Sequence, residues 1–424
     1  MPDRAPLHLF DGYGVELEYM IVDRETLDVK PIADELIKAA VGEYVSDVDR
    51  GEIAWSNELV THVIELKTNG PASDLASLAG KFQKSILDID NLLRPMNARL
   101  MPAAAHPWMD PMRETRLWPH EYDIVYQAYH RIFDCRGHGW SNLQSTHINL
   151  PFDGDAEFGR LHAAIRLVLP LLPALAASSP IIDGQATGFA DTRLRFYEAN
   201  QKKIPSIAGH IIPERVYTHD EYERVISLPI YREIAPHDPD EILRDEFLNS
   251  RGAIARFGRG AIEIRVLDLQ ECAAADLAIV RATVGLVKAL VEERVMSFED
   301  QKQFDERLLK RAFDIAVREG GRGILGPELK SYFAPLCGRT GSNLTLRNVW
   351  LGILENHDIL PRWEKTPLAG ILDAGQGTLA DRILRAAGLD PAEVKEPVEI
   401  PKETLRDVYR VLCACASEGV PFLP

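Results

Sequence analysis

YGVELEYMIV, residues 13–22, reads with a period of two. Val15, Leu17, Tyr19 and Ile21 fall on one face; Gly14, Glu16, Glu18 and Met20 fall on the other. That alternation predicts a strand with one buried face. Glu16 and Glu18 stand two apart, so both carboxylates leave the same face, about 6.6 Å apart along the strand. Three further segments carry polar groups in the same way. Residues 59–68 (LVTHVIELKT) are β-branched and stop at Asn69-Gly70-Pro71. Residues 143–150 (LQSTHINL) put Ser145, His147 and Asn149 on one face. Residues 261–269 (AIEIRVLDL) set Glu263 beside Arg265. Glu58 and Glu65 are seven apart, an odd spacing that puts them on opposite faces of a regular strand. They converge only if Glu58 precedes the strand or a bulge intervenes.

Between these segments the period changes. Leu75, Leu78, Phe82, Ile86, Ile89 and Leu93 recur at three and four, predicting a helix over 73–94 that Pro95 ends. A second helix is expected over 157–178. From residue 273 the chain is rich in Ala, Leu, Val, Glu and Arg, and strand patterns cease. The expected fold class is therefore α+β: a core over residues 1–290 and a mainly helical region over 291–424. Loops are expected at 320–326, 338–343 and 396–401.

Of the 424 residues, 46 % are apolar and 26 % charged, the balance of a globular protein with a large core. The 64 acidic against 48 basic residues give a formal charge of −16. A surface that negative argues against nucleic acid or an anionic membrane as partner. The longest apolar stretch, 167–177, is about half a bilayer span and is interrupted by Pro170 and Pro173. The start, MPDRAPLHLFDGYG, lacks the apolar core of a secretory signal. Five cysteines without a CxxC pair point to a reducing cytoplasm rather than a disulfide or zinc framework. Cys413 and Cys415 read as apolar fillers on different faces of a helix.

If the polar faces line one sheet, they gather Glu16, Glu18, Glu58, Glu65, Glu263, His147 and Arg265. Carboxylates so close must protonate or bind cations. Oxygen ligands with one nitrogen suit Mg²⁺ or Mn²⁺ better than zinc. Such ions beside an arginine suit nucleotide phosphates. Taken singly, each glutamate reads as a solvated surface residue, His147 as a core histidine and Arg265 as an ion-pair partner. Arg251, Arg256, Arg259 and Arg265 are interleaved with Gly252, Gly258 and Gly260 in a pattern that can approach phosphate, though Arg251 and Arg259 read better as a solvated turn. Arg193 and Arg195 follow the polar stretch 183–192. Neither a GxxxxGK[ST] loop nor a GxSxG elbow is present, so a P-loop and an α/β-hydrolase are not indicated.

In order along the chain, Gly14–Glu18, Glu58–Glu65, Ser145–Asn149, the Ala177-Ser178-Ser179-Pro180 turn, Asp191–Arg195 and Ala261–Arg265 resemble the motifs of the glutamate–cysteine ligases, including the carboxylate–amine ligase group. The similarity covers residues 12–290. The resemblance implies a glutamine synthetase-like catalytic fold: a curved, mainly antiparallel sheet forming a half-open funnel backed by helices. It implies one magnesium on Glu16, His147 and Glu263 and another on Glu18, Glu58 and Glu65. It implies ATP as co-substrate, with Arg265 at the transferring phosphate and Arg195, or less readily Arg193, near the acceptor carboxylate or phosphate; Arg256, from the Gly–Arg pattern, is expected with Arg265 at the nucleotide. The expected partners are small molecules: ATP, an amino-acid carboxylate and an amine. The expected reaction joins the γ-carboxylate of glutamate to the amino group of cysteine, with the glycine-rich stretch 184–188 as a candidate lid. A ligase for another amine, a guanidino kinase, and a non-catalytic metal- or nucleotide-binding protein are the alternatives.

Overall fold

The computed structural model describes residues 6–339, 341 and 343–424. Residues 1–5 of the start, and 340 and 342 of the expected 338–343 loop, lie outside the described residues. Eleven strands are present among those described: β1 (Gly14–Asp23), β2 (Asp47–Asp49), β3 (Ile53–Asn57), β4 (Val63–Thr68), β5 (Ala98–Met101), β6 (Ser145–Pro151), β7 (Ile181–Ile182), β8 (Gln185–Ala186), β9 (Ala253–Arg256), β10 (Ala261–Asp268) and β11 (Val398–Glu399). Seven form an open sheet in the order β2-β3-β4-β1-β6-β10-β9, and β5 adds an eighth by pairing with β1. Every pairing in it is antiparallel. The fold is thus α+β, with an open sheet and many helices.

One face of β1 builds the core. Val15, Leu17, Tyr19 and Ile21 are fully buried and share one apolar cluster with Phe82, Ile86 and Ile89 of helix Leu78–Leu93 and with Leu161 and Ile165 of helix Gly154–Val168. Burying a side chain of this size contributes about 1.5–3 kcal/mol, so the back face can offset a costly front face. One edge of β1 pairs with β4. The other is divided between β6, at Gly14–Leu17, and β5, at Met20–Asp23. At the seam, Met20 N–H donates to Gln144 Oε1 at 2.7 Å and Ser145 N–H donates to Glu18 Oε2 at 2.7 Å. The split between two partner strands therefore aims a carboxylate into backbone donors.

Several expected boundaries move for physical reasons. The first long helix begins at Leu78, because Asp74 accepts from the backbone and hydroxyl of Ser77 and holds a turn ahead of it. The expected 157–178 helix is instead an α-helix to Val168, a 3₁₀ turn at Leu169–Leu171 and a short helix at Pro173–Ala176. Pro170 and Pro173 lack the amide hydrogens a continuous helix needs. β3 (IAWSN) is buried throughout, so it shows no alternation to read. The expected 396–401 loop contains β11, which pairs with β8 and, through it, β7 in a three-stranded sheet. The glycine-rich 184–188 stretch is consequently tied down, with Ile400 N–H donating to the Gly184 carbonyl at 2.9 Å.

All five cysteines are free and buried. Among the described residues no helix is long and apolar enough to cross a membrane. Helix Lys402–Glu418 lays Leu405, Tyr409 and Leu412 into a second apolar cluster with Met20, Val22 and Met101. Leu405 is fully buried there. Leu405→Ala should lower the unfolding free energy by about 2–5 kcal/mol; urea denaturation followed by circular dichroism checks it, and an unchanged midpoint would contradict this packing.

Candidate active site

Strand register assembles the site. Lys67, Glu16 and His147 lie directly opposite one another across β4, β1 and β6. Glu65 lies opposite Glu18, and Asn149 opposite Glu263. Residues opposed across antiparallel strands share a face, so four strands bring their polar groups together. Gly14 opposes Asn149, and a Cβ at Gly14 would sit 2.7 Å from the Asn149 Cβ. The missing side chain leaves Asn149 free to donate to Glu16 Oε1 at 2.9 Å.

His147 stands between two carboxylate groups. Its Nδ1 donates to Glu16 Oε2 at 2.9 Å and lies 3.9 Å from Glu263 Oε1. Its Nε2 lies 3.1 Å from Ser145 Oγ and 3.8 Å from Glu18 Oε1. Two triads result, Glu16–His147–Glu263 and Glu18–Glu65–His147, each with ligand atoms within 4.8 Å of one another. Carboxylate oxygens with one imidazole are a donor set that fits Mg²⁺ or Mn²⁺. Glu58 belongs to neither triad but stands close to both. It lies in the β3–β4 connection, because β4 begins only at Val63. The odd spacing from Glu65 therefore does not separate the two carboxylates.

The mutual field of these groups shows in their proton affinities. Burial raises the Glu58 carboxyl, and the charges of Glu18, Glu65 and Glu16 raise it further, well above the ordinary carboxylate range. Burial and Glu16 push Glu65 up to about 7, against the pull of Lys67 and a 2.5 Å hydrogen bond from Ser56. Burial would also raise Glu16. The His147 hydrogen bond and the charges of His147, Arg256 and Lys67 instead hold it at about 2. Burial disfavours the imidazolium of His147, yet Glu16, Glu18 and Glu263 raise its proton affinity overall.

Arginines border the carboxylates. Arg256 Nη2 lies 2.8 Å from Glu263 Oε2, and Arg265 Nε lies 3.0 Å from Glu263 Oε1. The β10–β6 register slips between Ile264 and Leu267. This bulge turns Asp268, rather than Leu267, toward the face that carries Glu263 and Arg265. Asp268 was not singled out from the sequence, because a strict period of two assigns it to the opposite face. Its Oδ1 accepts from Arg193 Nε at 2.5 Å, and its Oδ2 accepts from Ser178 N–H and Ser179 Oγ at 2.8 and 2.9 Å. The Ser178-Ser179 turn thereby holds the aspartate that holds the arginine.

The two arginines after it part company. Helix Thr192–Ala199 is capped by Asp191, which accepts from Leu194 N–H at 2.9 Å. Residues two apart on a helix point to nearly opposite sides. Arg193 is buried and faces the site. Arg195 lies 4.4 Å from the Phe189 ring, in a separate surface hollow with Asp183 and Pro397, and the structure does not bring it to the carboxylates. Arg251, expected in a solvated turn, is instead 3 % exposed and paired with Glu214 at 2.7 Å. The 184–188 stretch lines neither lobe of the cleft described next.

The carboxylate–imidazole face separates two lobes. The first, about 820 Å³, is lined by Glu16, Glu65, Glu263, Lys67, Phe257 and Arg259. The second, about 450 Å³, is lined by Glu18, Glu58, His147, Arg193 and Arg265 together with a group of aromatic side chains. Arg256 lines both.

Fold and site define an α+β protein whose open antiparallel sheet carries a buried carboxylate–imidazole face between two cavities. The chain belongs to the glutamate–cysteine ligase family 2, whose family model matches residues 13–331. An uncharacterized protein of Archaeoglobus fulgidus is 37 % identical over 281 residues, 66 % of this chain and 75 % of that one. A protein of Cupriavidus metallidurans, provisionally named glutamate–cysteine ligase 2, is 30 % identical over 186 residues, 43 % of this chain and 46 % of its own length. Over 97 % of its length the chain superposes on 90 % of the glutamate–cysteine ligase of Francisella tularensis, solved with AMP, with a TM-score of 0.60 at 12 % identity. That likeness is one of fold.

Glu65 also sets a pH dependence. Its folded-state value, about 7, lies above its ordinary 4.5. The folded protein therefore holds a proton that the unfolded chain releases. The stability this contributes is full below about pH 4.5 and is lost as the pH rises through about 7. Without divalent cations, the melting temperature should fall between about pH 5 and pH 8, and Glu65→Gln should flatten that fall. Scanning calorimetry across the range checks it; parallel profiles for the two proteins would refute the assignment.

Proposed function

We propose that the protein is an ATP-dependent carboxylate–amine ligase on a glutamine synthetase-like catalytic fold. The observation that carries this reading is the pair of triads sharing His147 at the boundary of two lobes, with Arg256 and Arg265 beside them. A nucleotide suits the larger lobe, where Lys67, Arg256 and Arg259 offer cationic contacts for a polyphosphate. The acid and the amine suit the smaller one. The family's name makes glutamate and cysteine the first pair to test.

A carboxylate is a poor electrophile and needs activation. In the proposed reaction its oxygen attacks the γ-phosphorus, the bond to ADP breaks, and an acyl phosphate forms. The amine, having released a proton from its ammonium form, attacks the acyl carbon. The C–O bond to phosphate then breaks, and the second proton leaves with the phosphate. Glu16, His147 and Glu263 would hold one divalent cation, and Glu18, Glu65 and Glu58 a second beside them. Bound there, Mg²⁺ or Mn²⁺ supplies positive charge against the polyphosphate. Glu263, braced between Arg256 and Arg265, aligns both guanidinium groups with the boundary where the phosphoryl group passes. Arg193, fixed by Asp268, presents its remaining N–H groups to an anionic oxygen in the second lobe. The residues act by positioning and charge complementarity, the main requirements of phosphoryl transfer.

The test is ADP formation from ATP with glutamate and a panel of amines. Activity should require Mg²⁺ or Mn²⁺, and full turnover in excess EDTA would defeat the reading. Arg265 tests it more sharply. Arginine's planar fork can hold two phosphoryl oxygens, whereas lysine offers a point charge. Arg265→Lys should raise the barrier by about 2–4 kcal/mol, the scale of losing one oriented donor to a developing charge. ATP affinity should change less, and circular dichroism should be unaltered. Near-normal turnover with a lowered melting temperature would make Arg265 a structural ion-pair partner instead.

A further inference from the structure

The second lobe changes character along its length. Its inner end is the carboxylate face with Arg193, Arg256 and Arg265, and its long wall is apolar. Helix Asp123–Phe133 supplies that wall. Tyr122 at its N-cap, Val125, Tyr126 and Tyr129 stand at i, i+3, i+4 and i+7, one face of a helix, and all line the lobe. At 1.5 Å per residue this face runs for about 10 Å. Tyr129 marks the inner end, where the charges of Arg265 and Arg256 act on its hydroxyl. Tyr122 marks the mouth and is 51 % exposed. Trp140 and Phe247 complete the wall, with ring centroids 5.4 and 6.3 Å from that of Tyr129. Phe133 stacks on Trp140 at 5.7 Å, so the rings brace one another. Tyr126 OH is engaged already, accepting from Asn57 Nδ2 at 3.0 Å. Val125, Tyr126, Tyr129, Trp140 and Phe247 are each only half-buried. Ring surface left uncovered in a concave wall is the usual lining of a ligand site.

Charge narrows what the ligand can be. Arg193 is paired with Asp268, and Arg256 and Arg265 share Glu263. In the proposed reaction the N–H groups these arginines have left serve the acid and the passing phosphoryl group. Among the described residues the lobe has no lysine and no further arginine along its lining. A carboxylate on the acceptor would therefore lie against aromatic rings with no cation to meet it, and burying an unpaired charge is costly. An acceptor as small as cysteine would also leave most of the wall bare.

We propose that the amine acceptor of the ligation is an arylalkylamine: a primary amine on a short chain that ends in an aromatic ring, with no carboxylate of its own, its ring lying on Tyr126, Tyr129, Trp140 and Phe247. The acceptor role rests on the ligase reading above; the chemical class rests on the wall and on the lobe's charges. The covalent balance is that of the general reaction. The nitrogen loses its ammonium proton and bonds to the acyl carbon, the C–O bond to phosphate breaks, and the second proton leaves with the phosphate. The product is a secondary amide.

The experiment uses the full chain with Mg²⁺, glutamate and a non-hydrolysable ATP analogue. 2-Phenylethylamine, L-phenylalanine, ethylamine and L-cysteine are titrated by calorimetry, then compared as amines in ADP release with ATP. L-Phenylalanine adds a carboxylate to 2-phenylethylamine, and ethylamine removes its ring, so each comparison isolates one feature. 2-Phenylethylamine should bind about tenfold more tightly than each of the others, the size of one added aromatic contact. Trp140→Ala should erase its advantage over ethylamine with circular dichroism unaltered, and Phe247→Ala serves if that variant fails to fold. Equal or tighter binding of L-phenylalanine, ethylamine or L-cysteine overturns the proposal, as does an advantage that survives in a folded variant. Weakened binding of the ATP analogue by Trp140→Ala, with the amines unaffected, would make the wall a nucleotide site and overturn it too. Fastest ADP release with cysteine and no binding of 2-phenylethylamine would leave the ligase reading standing and remove this inference. Selective binding of 2-phenylethylamine without ADP release from any pair would uphold the ligand class and remove the ligase reading.

Discussion

Five glutamate carboxylates on one side of a sheet repel one another, and the organisation of the site depends on how that repulsion is contained. His147 contains most of it. Its two ring nitrogens face different carboxylate groups, Nδ1 toward Glu16 and Glu263 and Nε2 toward Glu18. Lys67, Arg256 and Arg265 neutralise the margins. Burial first, and then the repulsion that is not neutralised, raises the proton affinity of Glu58 and Glu65. A divalent cation bound as proposed would relieve the repulsion that protonation otherwise relieves. The strands tolerate it because the reverse face of the same β1 residues is fully buried apolar surface.

The second determinant is a break in regularity. Had β10 kept a strict alternation, Asp268 would point into the helices behind the sheet. The slip between Ile264 and Leu267 turns it forward, where it collects Ser178, Ser179 and Arg193. One extra residue in a strand thus links the closing strand, a serine turn and the start of a helix, and fixes which of two neighbouring arginines faces the cleft. Asp191, pushed well above the ordinary carboxylate range by burial and the nearby Asp268, caps that helix.

The cleft is chemically asymmetric about the carboxylate face. On one side lie Lys67 and Arg259; on the other lies the aromatic wall with Arg193 and Arg265, and Arg256 borders both. The membership in glutamate–cysteine ligase family 2 rests on residues 13–331, which include every residue of the carboxylate face and of the second lobe. The C-terminal helix Lys402–Glu418 packs on Met20, Val22 and Met101, at the far end of the same β1 face that carries Glu16 and Glu18.

That Glu16 shares a face with Glu18, and Glu263 with Arg265, and that His147 shares one with Ser145 and Asn149, was legible in the sequence because a strand's alternation is a local property: Glu16 and Glu18 share a face wherever β1 lies. Turn chemistry was equally local at Asn69-Gly70-Pro71. Everything that depends on contacts between distant segments was not. The place of Glu58 follows from where β3 ends and β4 begins, and β3 is buried on both faces, so its residues carry no alternation to read. The choice of Arg193 over Arg195 follows from a buried partner 75 positions away. Asp268 became visible only through a bulge, which is a property of two strands in register rather than of either alone. The aromatic wall draws Tyr126, Tyr129, Trp140 and Phe247 from segments over 100 residues apart in part, none of which stands out by itself. Residue types and periods determined which groups are present and which neighbours they share a face with. Register, burial and helix direction decided which of them meet, because those arise only when separate elements pack.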